Sequence, residues 1–340
     1  KSVLATYPVQ FVRRGSDWRT TWPVGDVLTT THFVAQIVAP AEGDGDHLAQ
    51  LDEAYGRLSP LLGLKQDGRA TVTLYPDRQT LGWLAGVPDV NGEQQAPPMA
   101  AATAIARTAP ITETAVALIL HASGLPDNQG DWLRVGLTDW VEAAGNATLQ
   151  AQQALQWTPM LTDAVAAVDV LASAVQGQEQ DAAASAAAWS MTQEFMRAYG
   201  ADGLQRFCAA WGRAAGDQTG GRAAAVAAAF AALGTTPDAF GQAWEEEVLQ
   251  PLMAARQGVR ETLAQQQQAV LALDKAAFLA TIDPNMQTYR LEQERWFDGL
   301  PQQPPLTDFR LTGEVLALDG KDEAVAWVSM NAGLPNGTPM

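Results

Sequence analysis

Residues 112–143 combine a carboxylate, a helical run and a tryptophan-flanked segment in the way that a metal site does. Glu113 stands near the start of an apolar helical run, and Asp139 lies in a second run. Positions i and i+4 of a helix point the same way, so Thr112 and Val116 share one side of the first run. Two zinc ligands at such positions, with a glutamate next to the first, are the arrangement of a hydrolytic zinc centre in which the glutamate acts as general base.

The residues at these positions cannot bind zinc, however. Zinc binds imidazole nitrogen, thiolate or carboxylate. Val116 offers no lone pair, and the single hydroxyl of Thr112 is a poor ligand. We therefore predict no metal site and no cofactor. Without a metal-activated water, Glu113 has nothing to act upon, and we predict no catalytic residue in this region.

No histidine replaces the missing ligands. His121 lies nine residues after Thr112, which is about 180° round a helix at roughly 100° per residue. His32 and His47 are far away along the chain, in a predicted strand and at a predicted helix start, and no two histidines have ligand spacing.

The spacing of the region resembles that of the gluzincin metallopeptidases, the HExxH superfamily that includes thermolysin and the M1-type aminopeptidases. The stretch Thr112 to Val116 stands in the place of HExxH. After 18 further residues comes Val135, within "WLRVGLTDW", where the family has its glutamate ligand. The resemblance covers about residues 29–255. It implies that Thr112, Val116 and Val135 occupy vestigial ligand positions, that Glu113 is the vestigial general base, and that Asp139 is the vestigial acid behind the ligands.

This resemblance implies a degenerate peptidase: a small mixed sheet with two active-site helices, followed by an all-helical lobe. The expected function is a non-catalytic one in binding, scaffolding or assembly. A metallopeptidase-like hydrolase with an atypical or partner-supplied metal is the alternative. Relatives of this architecture tend to lie outside the bacterial cell, and abundant Ala and Arg with scarce Lys suits a bacterial source, although a cytoplasmic place stays open.

Composition limits the partners. A formal net charge of −17 argues against nucleic acid, because phosphate binding needs clustered Lys and Arg. No apolar run reaches the roughly 18 residues that a membrane span requires. Cys208 is the only cysteine, so the chain has no internal disulfide, and its helical spacing from apolar neighbours indicates a small buried side chain. The expected partner is another protein or an unidentified ligand.

Four segments divide the chain, and together they predict the α+β class. Strands are predicted in 1–28, alternating strands and helices in 29–145, and Ala- and Gln-rich helices in 146–264. Residues 265–340 contain two helices and then a strand hairpin that turns near Asp319-Gly320. Within the second segment, "AEGDGDH" has the Asp-Gly spacing of a calcium loop without its later ligands, so a turn before a helix capped by Asp46 is expected.

The two ends of the chain resemble parts of one fold, the nuclear transport factor 2-like (SnoaL-like, cystatin-like) α+β roll. "FVRRGSDWRTTWP" resembles its last hairpin, and residues 265–340 resemble its helices and first strands. The two termini would then complete a single roll, whereas a tandem array sampled across two partial domains is the competing interpretation. Such rolls hold a pocket between sheet and helices, which predicts a small-ligand carrier as a further alternative. The aromatic residues that would line the pocket are Tyr289, Trp296, Phe297, Phe309 and Trp327.

Overall fold

The chain folds as an α+β protein in this computed structural model. The structure describes residues 10–14, 17–21, 26–38, 40–63, 68–76, 104–125, 131–162, 167–172, 182–216, 221–300, 308–319 and 323–333. The strands are β1 (Gln10–Arg14), β2 (Asp17–Thr21), β3 (Val27–Thr29), β4 (Phe33–Ile37), β5 (Ala70–Tyr75), β6 (Ala104–Ala106), β7 (Asp308–Asp319) and β8 (Glu323–Gly333).

Helices account for most of the remaining described chain. They are α1 (Asp44–Leu61), α2 (Ile111–Ala122), α3 (Asp131–Ala143), α4 (Ala147–Trp157), α5 (Ala167–Ala172), α6 (Ala182–Gly216), α7 (Gly221–Ala231), α8 (Pro237–Trp244), α9 (Gln250–Ala272), α10 (Lys275–Ala280) and α11 (Gln287–Gly299). A short 3-10 turn follows α4 at Thr158–Met160, and a π-helical segment at Glu245–Leu249 joins α8 to α9. Among the described residues, no helix combines the length and the apolar composition needed to cross a membrane.

Two compact units divide the chain, and they differ from the segments that the sequence suggests. The first contains residues 1–150 and 165–244, and the second contains residues 151–164 and 245–340. The predicted boundary at 264/265 falls inside α9, which is one continuous helix. The division comes instead at 244/245, where the helix changes from α to π geometry.

The first unit is built on a four-stranded mixed sheet in the order β3-β4-β5-β6. β3 runs antiparallel to β4, while β4, β5 and β6 are parallel. Parallel neighbours need a crossover connection, and α1 provides it between β4 and β5. Alternate residues of β4, namely Phe33, Ala35 and Ile37, are buried, as the period of two in a strand requires.

The helix α1 begins two residues before the predicted cap, Asp46. Its first residue is Asp44, so Asp46 is an exposed first-turn residue and not the cap. The buried carboxylate of Asp44 accepts a hydrogen bond from the Ala41 amide at 2.7 Å and forms an ion pair with Arg107. An arginine therefore balances the charge that a calcium ion would balance, and the segment is a turn before a helix, as predicted.

Aromatic side chains form the core of the helical part of this unit. Trp132 of α3 contacts Phe195 and Phe207 of α6 at ring-centroid distances of 5.9 and 6.3 Å, and it contacts Phe240 of α8 at 6.4 Å. Gly200 divides α6 into two helical stretches, because its φ of 60° lies in the left-handed region that favours glycine. The break lets both stretches turn their aromatic residues toward the same core.

The second unit packs helices onto one face of the β7–β8 hairpin. α9 approaches β7 closely at Gly313, where a Cβ would lie 2.5 Å from Leu263 Cδ1. Arg256 of α9 donates hydrogen bonds to the carbonyl oxygens of Thr158 and Leu161, at 2.7 and 2.5 Å, and so ties the 3-10 turn to the helix. A buried apolar cluster joins the helices to the sheet, and its members are Ala269, Val270, Phe278, Leu279, Ile282, Phe297 and Phe309.

The hairpins at the two ends of the chain are both present. β1 pairs with β2 and β7 pairs with β8, each antiparallel, and each pair is a separate two-stranded sheet among the described strands. A single roll completed by both termini would need a ladder between residues 2–14 and 322–331, and none is found among the described strand pairs. Residues 2–9 lie outside the described chain, so a single roll completed by both termini stays a prediction.

Candidate functional site

The positions on α2 that were predicted to be vestigial lie at the centre and edge of its buried side. Val116 is fully buried and Thr112, one helical turn earlier, is partly buried. Glu113 is offset by about 100° around the helix, at the margin of this side. α2 follows Pro110, whose carbonyl accepts a hydrogen bond from the Thr114 hydroxyl at 2.7 Å.

Glu113 forms an ion pair with Arg134 of α3. The Arg134 guanidinium donates to Glu113 Oε1 at 3.1 Å, and the two side chains are 41% and 30% exposed. An exposed pair of this kind contributes about 0.2–1 kcal/mol to stability. The pair matters more for the chemistry of Glu113 than for stability, because the permanent positive charge of Arg134 lies against its carboxylate. Arg134 was not predicted from the sequence, although it directly precedes Val135, the predicted vestigial ligand position.

Val135 and Asp139 lie one helical turn apart on α3, and both are partly exposed. Between them Gly136 faces α6. A Cβ at this glycine would lie 2.7 Å from the Ala188 carbonyl oxygen and would overlap the Thr192 side chain. The missing side chain lets the two helices approach, and the Thr192 hydroxyl donates to the Trp132 carbonyl at 3.4 Å. α3 is therefore fixed on its α6 side.

The histidines lie where the sequence analysis places them or close to it. α2 is helical from residue 111 to 122, so His121 is about half a turn away from Thr112 around the helix. His47 lies in α1, where burial and then the positive charge of Arg107 lower its pKa, while Asp44 raises it. Within the part of the chain that the structure describes, no group of three His, Cys, Asp or Glu residues is placed to hold a metal ion.

His32 belongs to a separate polar cluster at the start of β4. Its Nδ1 lies 3.2 Å from Asp52 Oδ1, and the same oxygen accepts from the His32 amide at 2.8 Å and the Thr30 hydroxyl at 2.5 Å. Burial raises the pKa of Asp52, but these hydrogen bonds and the His32 charge lower it by more, so the net pKa is lowered. The cluster anchors β4 to α1.

The five predicted pocket aromatics do not form one group. Phe297 and Phe309 are buried, and Trp296 is partly exposed beside them at centroid distances of 6.3 and 6.5 Å. Tyr289 is exposed on α11. Trp327 opposes Glu314 in the ladder and lies five residues before Ala332, the partner of Phe309, so it points to the other face of the sheet.

Comparison with known proteins gives no relative: no protein-family model, no curated protein and no solved structure matches the chain.

Proposed function

We propose that the chain is a non-catalytic, peptidase-like protein that acts by binding another protein, in scaffolding or assembly, on the outside of a bacterial cell. The observation that carries the proposal is the ion pair between Glu113 and Arg134. It involves the one carboxylate that a peptidase of this design would use as its general base.

The ion pair and the missing ligands both support a loss of catalysis. A general base in a zinc hydrolase needs a metal-bound water whose proton it can accept. Here the guanidinium of Arg134 lies against Glu113 and would repel a divalent cation at the same place. The neighbouring positions Thr112, Val116 and Val135 supply neither imidazole nor carboxylate. These residues support loss of catalysis more than they support an atypical metal.

What remains intact is the scaffold around the site. Trp132 and Gly136 hold α3 against α6, and the buried side of α2 includes Val116, Leu118 and Ile119. Because these buried contacts fix α2 and α3, the residues that the two helices expose could bind a partner with little loss of conformational entropy. The acidic net charge of −17 favours a partner with a basic surface.

Zinc content and hydrolysis test this proposal together. The purified chain is incubated with Zn²⁺, Mn²⁺ or Co²⁺, desalted, and measured by elemental analysis and with a mixed fluorogenic peptide library. We expect no stoichiometric metal and no hydrolysis from the native chain or from Arg134→Ala, with the exposed Arg206→Ala as the control for loss of one positive charge. Stoichiometric metal with hydrolysis that Glu113→Gln abolishes would refute the proposal in favour of an enzyme.

A small-ligand carrier is the second candidate, and one observation favours it. Trp296 keeps part of its ring exposed although it stacks near Phe278 at 5.6 Å and Phe309 at 6.5 Å. A thermal-shift screen with small aromatic compounds and lipids tests this function. A stabilising compound whose effect is lost in Trp296→Ala but kept in Trp327→Ala, on the opposite face, would support the carrier.

A further inference from the structure

β8 has an open edge of unusual composition. β7 is its only strand partner among the residues that the structure describes. Val325, Val328 and Met330 are 56%, 48% and 62% exposed. From Ala324 to Gly333 the strand contains no charged residue and no proline, which are the residues that usually protect an edge from pairing. The sequence of this edge is therefore suited to accepting another strand.

The backbone groups that face this edge can be identified from the ladder. The Leu311 amide donates to Gln267 Oε1 at 3.3 Å, so it points away from β8. Leu311 directly opposes Met330. In an antiparallel pair, two opposed residues either hydrogen-bond to each other through their N–H and C=O groups, or both point these groups away from each other. The N–H and C=O of Met330 therefore face the open edge, and those of Val328 and Ala326 follow at every second residue.

The outer edge of β7, unlike that of β8, is in contact with other parts of the second unit. Gln267 occupies the outward amide of Leu311, and the 3-10 turn at Thr158–Met160 lies against the same strand. Since this edge is partly covered, the outer edge of β8 is the one left open to pairing within the described part of the sheet. A strand that adds to the sheet must add there.

One face of the sheet extends beyond the helices that cover it. On this face Phe309, Leu311 and Val315 of β7 lie opposite Ala332, Met330 and Ala326 of β8. Phe309 and Val315 are buried under the helices of the unit, whereas Val328 and Met330 on the same face remain exposed. The uncovered part of this apolar face belongs to the outer strand.

We propose that β8 pairs antiparallel with β8 of a second copy of this chain, around a twofold axis at Val328. In this register Val328 opposes its own counterpart, Ala326 opposes Met330, and Ala324 opposes Ala332. Every pair on the uncovered face is apolar, and every one of these residues directs its N–H and C=O toward the partner. The pairing uses residues of the second unit only and is independent of the site at Glu113. It uses the same edge of β8 that residues 2–14 would occupy in a roll completed by both termini, so the two interpretations exclude each other.

The charges decide between the two strand directions. Antiparallel pairing places Glu323 opposite Gly333, so no like charges meet. Parallel pairing in register would place Glu323 beside its own counterpart, and directly opposed like charges destabilise a sheet. The antiparallel dimer is also closed, because both open edges are used and the outer β7 edges are partly covered.

Sedimentation velocity across a range of protein concentrations tests the dimer. We expect concentration-dependent dimers for the native chain, loss of the dimer in Val328→Lys, and its retention in Val325→Lys. The two valines are similarly exposed on the same strand but lie on opposite faces, so both variants are expected to fold. Monomers at every concentration, open polymers, or equal effects of the two variants would overturn the proposal.

Oxidative cross-linking tests the register directly. At the twofold axis the two Cα atoms of position 328 would lie about 5.5 Å apart, within disulfide reach. Position 325 would lie six residues from its counterpart, about 20 Å away at roughly 3.3 Å per residue. Val328→Cys is expected to form a disulfide-linked dimer, and Val325→Cys is not. The native Cys208 is fully buried, and burial raises the pKa of its thiol to about 12, so it does not compete. A disulfide in Val325→Cys alone would show another register.

Discussion

Replacing Gly136 by alanine is predicted to destabilise the first unit through the contact between α3 and α6. The added Cβ would lie 2.7 Å from the carbonyl oxygen of Ala188, which is backbone and cannot rotate away, and it would overlap Thr192. Overpacking costs about 1–3 kcal/mol, and the approach to a backbone carbonyl oxygen puts this site at the upper end of that range, about 3 kcal/mol. The better helix propensity of alanine returns about 1 kcal/mol. We expect a net loss of about 2 kcal/mol, which lowers the Tm of a unit of this size by roughly 4–8 °C.

The matched control is Gly258→Ala in α9. This glycine is also inside a helix, but nothing lies within 4 Å of the added Cβ, so alanine is expected to stabilise by about 0.5–1 kcal/mol. Differential scanning calorimetry, with urea denaturation followed by tryptophan fluorescence, measures both variants. A Gly136→Ala protein as stable as the native chain would refute the close approach of α3 and α6.

Three further predictions concern single interactions. Ser190→Ala removes the acceptor of the Trp244 indole N–H, a buried bond of 3.0 Å, and is expected to cost about 1–3 kcal/mol in urea denaturation but clearly less in a Trp244→Phe background. Asp274→Ala removes the cap that accepts the Ala277 amide at 2.9 Å, with an expected loss of about 1 kcal/mol in thermal unfolding, whereas Asp274→Ser is expected to retain most of it. Asp52 has a lowered pKa in the folded chain, so it contributes to stability above its unfolded pKa of about 3.9. This contribution is lost as the pH falls through the lower pKa of the folded state. The stability difference between the native chain and Asp52→Asn, measured from pH 7 downward, should therefore shrink at acidic pH, and a constant difference would contradict this.

Much of the fold could be predicted from local patterns. The helical run predicted around Glu113 is found at Ile111–Ala122, and the hairpin predicted to turn near Asp319-Gly320 is found as β7 and β8. These elements have clear periodicity or turn residues, which fix local structure without knowledge of the partner. Gly200 interrupts α6, Gly221 begins α7 and Gly234 follows it, each with positive φ, as their positions between alanine-rich runs indicate.

The features missed depend on tertiary contacts. Arg134 reaches Glu113 across two helices, and no spacing rule within one helix predicts that pair. Alanine-rich helices carry little periodicity, so neither the burial of α6 on several sides nor the continuity of α9 through residue 264 could be predicted. Asp44 begins α1 in place of Asp46 because Arg107, far along the chain, balances its buried charge.

Introducing zinc ligands at the three positions predicted to be vestigial tests the central claim most directly. Thr112→His, Val116→His and Val135→Glu are combined in one chain and compared with the same chain carrying Val135→Gln, while circular dichroism monitors folding. If residues 112–139 keep the arrangement of a zinc peptidase, titration calorimetry and elemental analysis will give one tightly bound Zn²⁺ per chain in the first variant and weaker, substoichiometric binding in the second. A folded triple variant that binds zinc no better than the native chain would contradict the claim.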